Sequence, residues 1–172
     1  MSMLSKLHKL RDPEIVTKNL IELGRQARGA WWDATRPTSP APVFLIGCSR
    51  SGTTVTFETL GASKQLVNLG FEIPQFWNEL YGPLNNGWHS EAAAAEHASP
   101  EHRDAALRFF YQRLGSGRVL DKTCINVMRV GYLHALFPDA KFVFIQRDGR
   151  DNISSMIDGW RLGRTDGDFH LS

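Results

Sequence analysis

Two places in this 172-residue chain gather anion-binding residue types at a spacing that suits joint action. The first is Gly47-Cys-Ser-Arg-Ser-Gly-Thr-Thr54. Small residues let successive backbone N–H groups turn toward one point, and Arg50 is the one cation of the run. Gly47 and Gly52 with Thr54 fit the phosphate-loop pattern G-x-x-x-x-G-K-[ST], except that Thr53 stands in the lysine place. A nucleoside triphosphatase lacking that lysine loses its charge on the β- and γ-phosphates. A loop with an earlier arginine followed by Ser51-Gly52-Thr53-Thr54 still cradles an anion, with its charge placed elsewhere. The second place is Arg147 with Ser155, a guanidinium fork and a hydroxyl that could grip one phosphate. Each has a plainer reading when taken singly: a tight turn capped by hydroxyls, and a surface arginine near an exposed helical serine. Their order along the chain, each behind a strand-like run, favours the chemical reading.

The elements that must position these groups follow from pattern. Val43–Ile46 is a short continuous apolar run, expected of a parallel strand buried on both faces, and Val55, Phe57 and Leu60 begin a helical repeat behind the loop. Strand, small-residue loop and helix together aim N–H groups and a helix N-terminus at an anion. Leu66–Leu69 reads as a second strand, leading to Gly70-Phe-Glu-Ile-Pro74. Pro74 disfavours helix at Ile73, which leaves Glu72 in extended chain at a strand end, where parallel sheets border their ligand crevice. Val119-Leu120 opens a third strand ending at Asp121-Lys122-Thr123, and Lys141–Gln146 forms a fourth that delivers Arg147. Helical stripes separate the strands: Leu107, Phe110, Tyr111 and Leu114 behind Ser99-Pro100-Glu101; Val127, Val130, Leu133 and Phe137 before Pro138; then Ile153, Met156, Ile157 and Trp160, with Ser155 off the stripe. Alternating strands and helices predict an α/β, P-loop-like three-layer fold with a mainly parallel central sheet flanked by helices.

The N-terminal part reads as scaffold. Asp12 before Pro13 and Glu14 is a helix start, and Val16, Leu20, Leu23 and Ala27 share one helical face that Trp31 and Trp32 would pack onto the body. A linker with three prolines, Arg36–Pro42, leads into the first strand. Trp77, Tyr81, Asn85, Asn86 and Trp88 fall in a loop-rich stretch. Their aromatic rings are expected in the core rather than around an acceptor. His89, His97 and His102 show no paired metal-ligand spacing and read as surface residues.

The loop resembles the 5′-phosphosulfate loop of sulfotransferases, which take 3′-phosphoadenosine 5′-phosphosulfate (PAPS) as sulfuryl donor. In that family a Lys or Arg precedes Ser-Gly-Thr-Thr, and Arg50 fills this place. Arg147 and Ser155 likewise resemble the family's 3′-phosphate site, with the same spacing. The likeness spans Val43 to Trp160. It is nearest in wording to the protein-tyrosine type and related bacterial enzymes, in Phe137-Pro-Asp-Ala-Lys-Phe142, Arg147-Asp-Gly-Arg150 and Ser155-Met-Ile157. The resemblance implies a donor site of Arg50, Ser51, Gly52, Thr53, Thr54, Arg147 and Ser155. It further implies Lys122 against the transferring sulfuryl group and Glu72 as general base, desolvated by Phe71 and Ile73 and raised in pKa. Cytosolic small-molecule enzymes use a histidine two residues after the matching lysine. Cys124 stands there, so a histidine mechanism is disfavoured, and His134 and His170 are the next bases in line. The scheme calls for PAPS as co-substrate, a small-molecule, glycan or peptide acceptor, and no metal.

Bulk composition agrees with a single domain over 1–172, with helix and linker in 1–41 and a donor-binding core in 42–162. Apolar residues make up 42% and charged residues 22%, ordinary for a globular protein, and a formal charge of +2 is too small to argue for nucleic acid. Cys48 and Cys124 give neither a disulfide framework nor a zinc ligand set, and Cys48 reads as a small packing residue of the loop. No run is long enough to span a membrane, and Met1–Leu10 lacks the apolar core of a signal peptide, which predicts a cytoplasmic location. Relatives usually continue past the 3′-phosphate helix, so the chain is expected to be a fragment or a natural minimal form. Two rival readings are a P-loop kinase or nucleotide-binding protein, with Val119-Leu120-Asp121 imitating a Mg²⁺-binding strand, and a catalytically silent PAPS-binding module.

Overall fold

The computed structural model describes residues 13–166, with side chains described through residue 161. Four strands, β1 (Val43–Ile46), β2 (Leu66–Val67), β3 (Arg118–Asp121) and β4 (Lys141–Phe144), form one all-parallel sheet in the order β2-β3-β1-β4. Among the described residues six α-helices accompany it: α1 (Pro13–Thr35), α2 (Thr53–Gly61), α3 (Pro74–Leu80), α4 (Pro100–Leu114), α5 (Val130–Leu136) and α6 (Gly149–Asp166). The α/β fold with a parallel central sheet is as the alternation of patterns predicts. The second and fourth strands stop earlier than their apolar runs, and α3 replaces part of the expected loop.

β1 is buried on both faces. Phe44 and Ile46 point into the larger core with Trp77, Phe110, Tyr132 and Phe137, while Leu45 joins Phe57 and Leu120 on the other side. Phe44 is ringed by Trp77, Phe137 and Phe142 at centroid distances of 6.1, 5.9 and 5.5 Å. Losing that ring would cost about 3–5 kcal/mol. Register carries this arrangement toward function. Val43 lies opposite both Leu120 and Lys141, and Ile46 opposite Phe144. Parallel strands in register release their following segments at one edge, so the loops after β1, β3 and β4 emerge together.

Helix termini follow local chemistry. Ser99 Oγ accepts from the His102 N–H at 3.2 Å ahead of Pro100, and Asp148 Oδ1 accepts from the Arg150 and Asp151 N–H groups at 2.9 and 3.3 Å to start α6.

Several surface expectations are corrected. α1 docks through its second half, antiparallel to α4. Arg36 meets Asp104 at 2.8 Å, Arg108 grips Asp33 with two bonds of 2.8 Å, and Arg28 Nε donates to the Gln112 carbonyl at 2.7 Å. Since α4 ends at Leu114, the pairing runs out before Leu23. Leu20 and Leu23 are therefore exposed, Ala27 is exposed within the docked half, and Trp32 is buried while Trp31 is not. The α6 stripe is outward too, with Ile153, Ile157 and Trp160 exposed. Trp77 is core as expected, but Trp88 lies in solvent. His97 and His102 are half-buried rather than free on the surface. His97 stacks on Tyr81 at 4.2 Å and accepts from the Ala94 N–H, and His102 Nδ1 lies 3.0 Å from the Tyr132 hydroxyl. Among the described residues no helix is long and apolar enough to cross a membrane.

Candidate active site

The loop after β1 folds as its small residues demand. A Cβ on Gly47 would come within 2.8 Å of Thr53 Cγ2 and 2.9 Å of Ser51 Oγ, so any larger residue would push these loop side chains aside. Ser51 is buried, and its hydroxyl donates back to the Cys48 carbonyl at 2.6 Å, stapling the turn. Gly52 adopts φ 100° at the start of α2 and offers no side-chain cap. The first-turn N–H groups of α2 are thereby left for a ligand, with the positive end of the helix behind them. Arg50 is held at φ 65°, a left-handed conformation rare for a side-chain-bearing residue and frequent at ligand clamps. Thr53 is buried, Thr54 is exposed at the helix start, and Cys48 is exposed rather than packed.

The second anion-binding pair arrives at the same place. Arg147 Nη1 donates to the Arg50 carbonyl at 2.8 Å, across 97 residues, and Arg50 Nε donates to Ser155 Oγ at 3.3 Å, across 105. Arg50, Gly52, Thr53, Thr54, Arg147 and Ser155 line one open cleft of about 370 Å³. No carboxylate pairs with Arg147 among the described residues.

On the other side of α2 lies a second cleft of about 420 Å³, where Phe57, Asn68, Phe71 and Lys122 line the walls and Thr54 and Glu58 are shared with the first. At its base Lys122, only 8% exposed, donates to Glu72 Oε1 at 2.5 Å. The Cys124 N–H donates to Glu72 Oε2 at 2.8 Å, and the Cys124 thiol approaches Oε1 at 3.4 Å. The expectation of a raised Glu72 pKa is corrected here. Burial does push the carboxyl up, but hydrogen bonds from Lys122 and Cys124 and the Lys122 charge outweigh it, leaving Glu72 below its ordinary value. Ile73 is buried beside it, whereas Phe71 stands in solvent and desolvates little. Burial pushes the Cys124 thiol up, so it stays protonated at neutral pH.

Behind the pair sits a group with no expected role at the transfer site. Asp121 is 5% exposed and turned away from both clefts, bonded to Trp77 Nε1, Asn126 Nδ2 and the Thr123 hydroxyl at 2.9, 2.9 and 2.8 Å. Its place at a strand end beside Lys122 is the available signal, and in the kinase reading Val119-Leu120-Asp121 imitates a Mg²⁺-binding strand. An inward carboxylate with three internal donors does not fit that rival. Among the described residues no group of three or more His, Cys, Asp and Glu gathers as a metal site. His134 is exposed on α5, and His170 lies outside the described residues.

The model of the sulfotransferase family matches residues 42–168. The chain belongs to the sulfotransferase family. That membership makes sulfuryl transfer its reaction class, and the cleft lined by Arg50, Arg147 and Ser155 lies within the matched span. No curated protein and no solved structure matches this sulfotransferase.

Proposed function

We propose that this sulfotransferase moves a sulfuryl group from PAPS to an acceptor hydroxyl or amine, and that its nearest functional relatives are the protein-tyrosine type and related bacterial enzymes. The observation that carries the reading is the convergence of Arg50, Arg147 and Ser155 on one cleft from motifs about a hundred residues apart. Two arginines and a serine hydroxyl lining one cleft beside a helix N-terminus favour an anion there. A donor with phosphate at both ends of its ribose fits such a cleft. In this scheme the loop N–H groups and Arg50 hold the 5′-phosphosulfate, and Arg147 and Ser155 hold the 3′-phosphate.

PAPS supplies an activated sulfuryl group whose leaving group is 3′-phosphoadenosine 5′-phosphate. The acceptor approaches from the Phe57–Phe71 cleft, which meets the donor cleft at Thr54 and Glu58. Glu72 takes the acceptor's proton as the new bond to sulfur forms. Arg50 and the helix N-terminus meet the charge that collects on the departing phosphate, and Lys122 meets that on the sulfuryl oxygens. For Glu72 to act, Lys122 must release part of its hold, since the ion pair keeps the carboxylate a weak base. Small-molecule, glycan and peptide acceptors are all compatible with so open a cleft.

The test is ligand choice followed by turnover. PAPS and 3′-phosphoadenosine 5′-phosphate should bind without Mg²⁺, and labelled sulfate should pass from PAPS to at least one member of a panel of phenols, sugars, amines and peptides. Tight Mg²⁺-dependent ATP binding with no preference for a 3′-phosphate would sink the proposal. Binding of PAPS with no transfer across the panel would favour a silent binding module.

A further inference from the structure

We propose that Asp121 is a positioning residue that fixes the Glu72–Lys122 pair through the hydroxyl of Thr123. The inference rests on the proposed reading for the statement that this pair carries transfer. The contacts themselves do not depend on it.

Two segments must be held at a set distance for Glu72 and Lys122 to meet, residues 71–73 and residues 122–124. Two bonds join their backbones to the other's side chains: the Cys124 N–H to Glu72 Oε2 at 2.8 Å, and the Ile73 N–H to Thr123 Oγ1 at 3.2 Å. The second depends on which way the Thr123 hydroxyl points. A hydroxyl has one hydrogen, and Asp121 Oδ1 takes it at 2.8 Å, which turns the lone pairs toward Ile73. Asp121 is thus the group that sets the polarity of the bridge.

Its other oxygen anchors the frame. Trp77 Nε1 and Asn126 Nδ2 both donate to Oδ2 at 2.9 Å, tying α3 and the turn after Cys124 to the end of β3. Asn126 turns its amide nitrogen to the carboxylate and leaves its own buried Oδ1 without a partner. An unpartnered buried oxygen is costly, so the carboxylate's demand for donors prevails over the amide's. Asp121 itself lies under the surface and faces neither cleft, so it acts through Thr123 and not on a substrate.

The test compares Asp121→Asn, Thr123→Val and Thr123→Ser with the full chain at pH 7.5, by amide hydrogen exchange and by steady-state kinetics. Asp121 touches neither the Ile73 nor the Cys124 N–H, so exchange at these two reports the relay. In Asp121→Asn both should exchange about tenfold faster or more, while Val143 in β4 stays within about twofold. In Thr123→Val, Cys124 should quicken likewise, and Thr123→Ser should restore it. The turnover number should drop about 10- to 100-fold in Asp121→Asn and Thr123→Val with the KM for PAPS nearly unchanged. Unchanged exchange at Cys124 in folded Asp121→Asn overturns the proposal, as does an equal rise at Val143, which marks a merely structural role. If Asp121→Asn does not fold, Thr123→Val decides alone, since it keeps volume and removes only the bridge. Faster exchange in a protein whose wild type transfers no sulfuryl group would uphold the positioning and refute the transfer reading. Normal exchange with an active wild type would do the reverse.

Discussion

Arg50, Thr54 and Arg147 are exposed on one open cleft, whereas around Glu72 most polar atoms already have a protein partner within about 3 Å. Both regions sit at the same edge of the same sheet. On the proposed donor side the cations face outward, so in that reading binding energy is realised when an anion arrives. The Glu72 side is locked before any ligand arrives, by an ion pair, a buried hub and a backbone bond. A mutation on the first side should therefore be felt in affinity, and one on the second in rate or stability.

The sharpest break in this comparison is Glu72→Gln. It removes the proton acceptor, keeps the shape, and leaves Lys122 with an amide partner. Turnover should fall about 10²–10⁴-fold, the scale of general-base catalysis, with nucleotide affinity little changed. A stable, PAPS-binding variant with undiminished rate would move the base elsewhere, with His134 and His170 next to be tested.

Asp121 sharpens the comparison through pH. Burial raises its pKa from 3.8 to about 6, against the lowering effect of its Thr123, Trp77 and Asn126 donors. The folded state then holds the proton more firmly than the unfolded one, so stability falls as pH rises from about 4 to 6, by on the order of 2–3 kcal/mol. Glu72 has the opposite sign: its lowered pKa contributes stability above 4.5 that is lost as pH falls through the folded value. Only the wild type carries the Asp121 dependence, so its denaturation midpoint should fall relative to that of Asp121→Asn as pH rises from about 4 to 6. Parallel curves would show that Asp121 titrates as an ordinary carboxylate.

How much of this was legible beforehand differs between the same two regions. The donor side is local: a short apolar strand, two glycines and an arginine within Val43–Thr54, and an arginine and serine on one strand–turn–helix. Such units can be read from neighbours in sequence, and they recur in place in the fold. The Glu72 side depends on contacts 44 to 52 residues apart, among them Trp77–Asp121 and Cys124–Glu72. No spacing rule reveals that Lys122 and a backbone N–H would reach Glu72 and reverse its expected pKa shift. The same reason explains α1. Its apolar periodicity was real, but which half docks is decided by where α4 ends.

On the donor side, Arg147→Ala should weaken 3′-phosphoadenosine 5′-phosphate by roughly 10- to 150-fold, the loss of a charge-assisted contact of about 1.5–3 kcal/mol. Adenosine 5′-phosphosulfate, which lacks the 3′-phosphate, is the control and should lose far less. The structure makes this control more demanding, because Arg147 also braces the Arg50 carbonyl at 2.8 Å. Equal losses for the two ligands would mean that Arg147 serves the loop and not the 3′-phosphate.

Ser155→Ala should have the smallest effect, and it asks whether the serine works on the ligand or on the protein. Ser155 Oγ accepts from Arg50 Nε at 3.3 Å, a long bond between half-exposed and exposed groups, so its loss costs the fold little. That bond uses a lone pair and leaves the hydroxyl hydrogen available to an anion. A neutral donor to a phosphate contributes about 0.5–1.5 kcal/mol, so affinity for 3′-phosphoadenosine 5′-phosphate should fall roughly 2- to 12-fold, with the melting temperature unmoved. Adenosine 5′-phosphosulfate separates the two roles by titration calorimetry on the same preparation. If Ser155 holds the 3′-phosphate, this ligand is indifferent to the change. If Ser155 serves to aim Arg50 at the 5′-phosphosulfate, both nucleotides weaken alike, and the serine belongs to the loop rather than to the second half of the cradle.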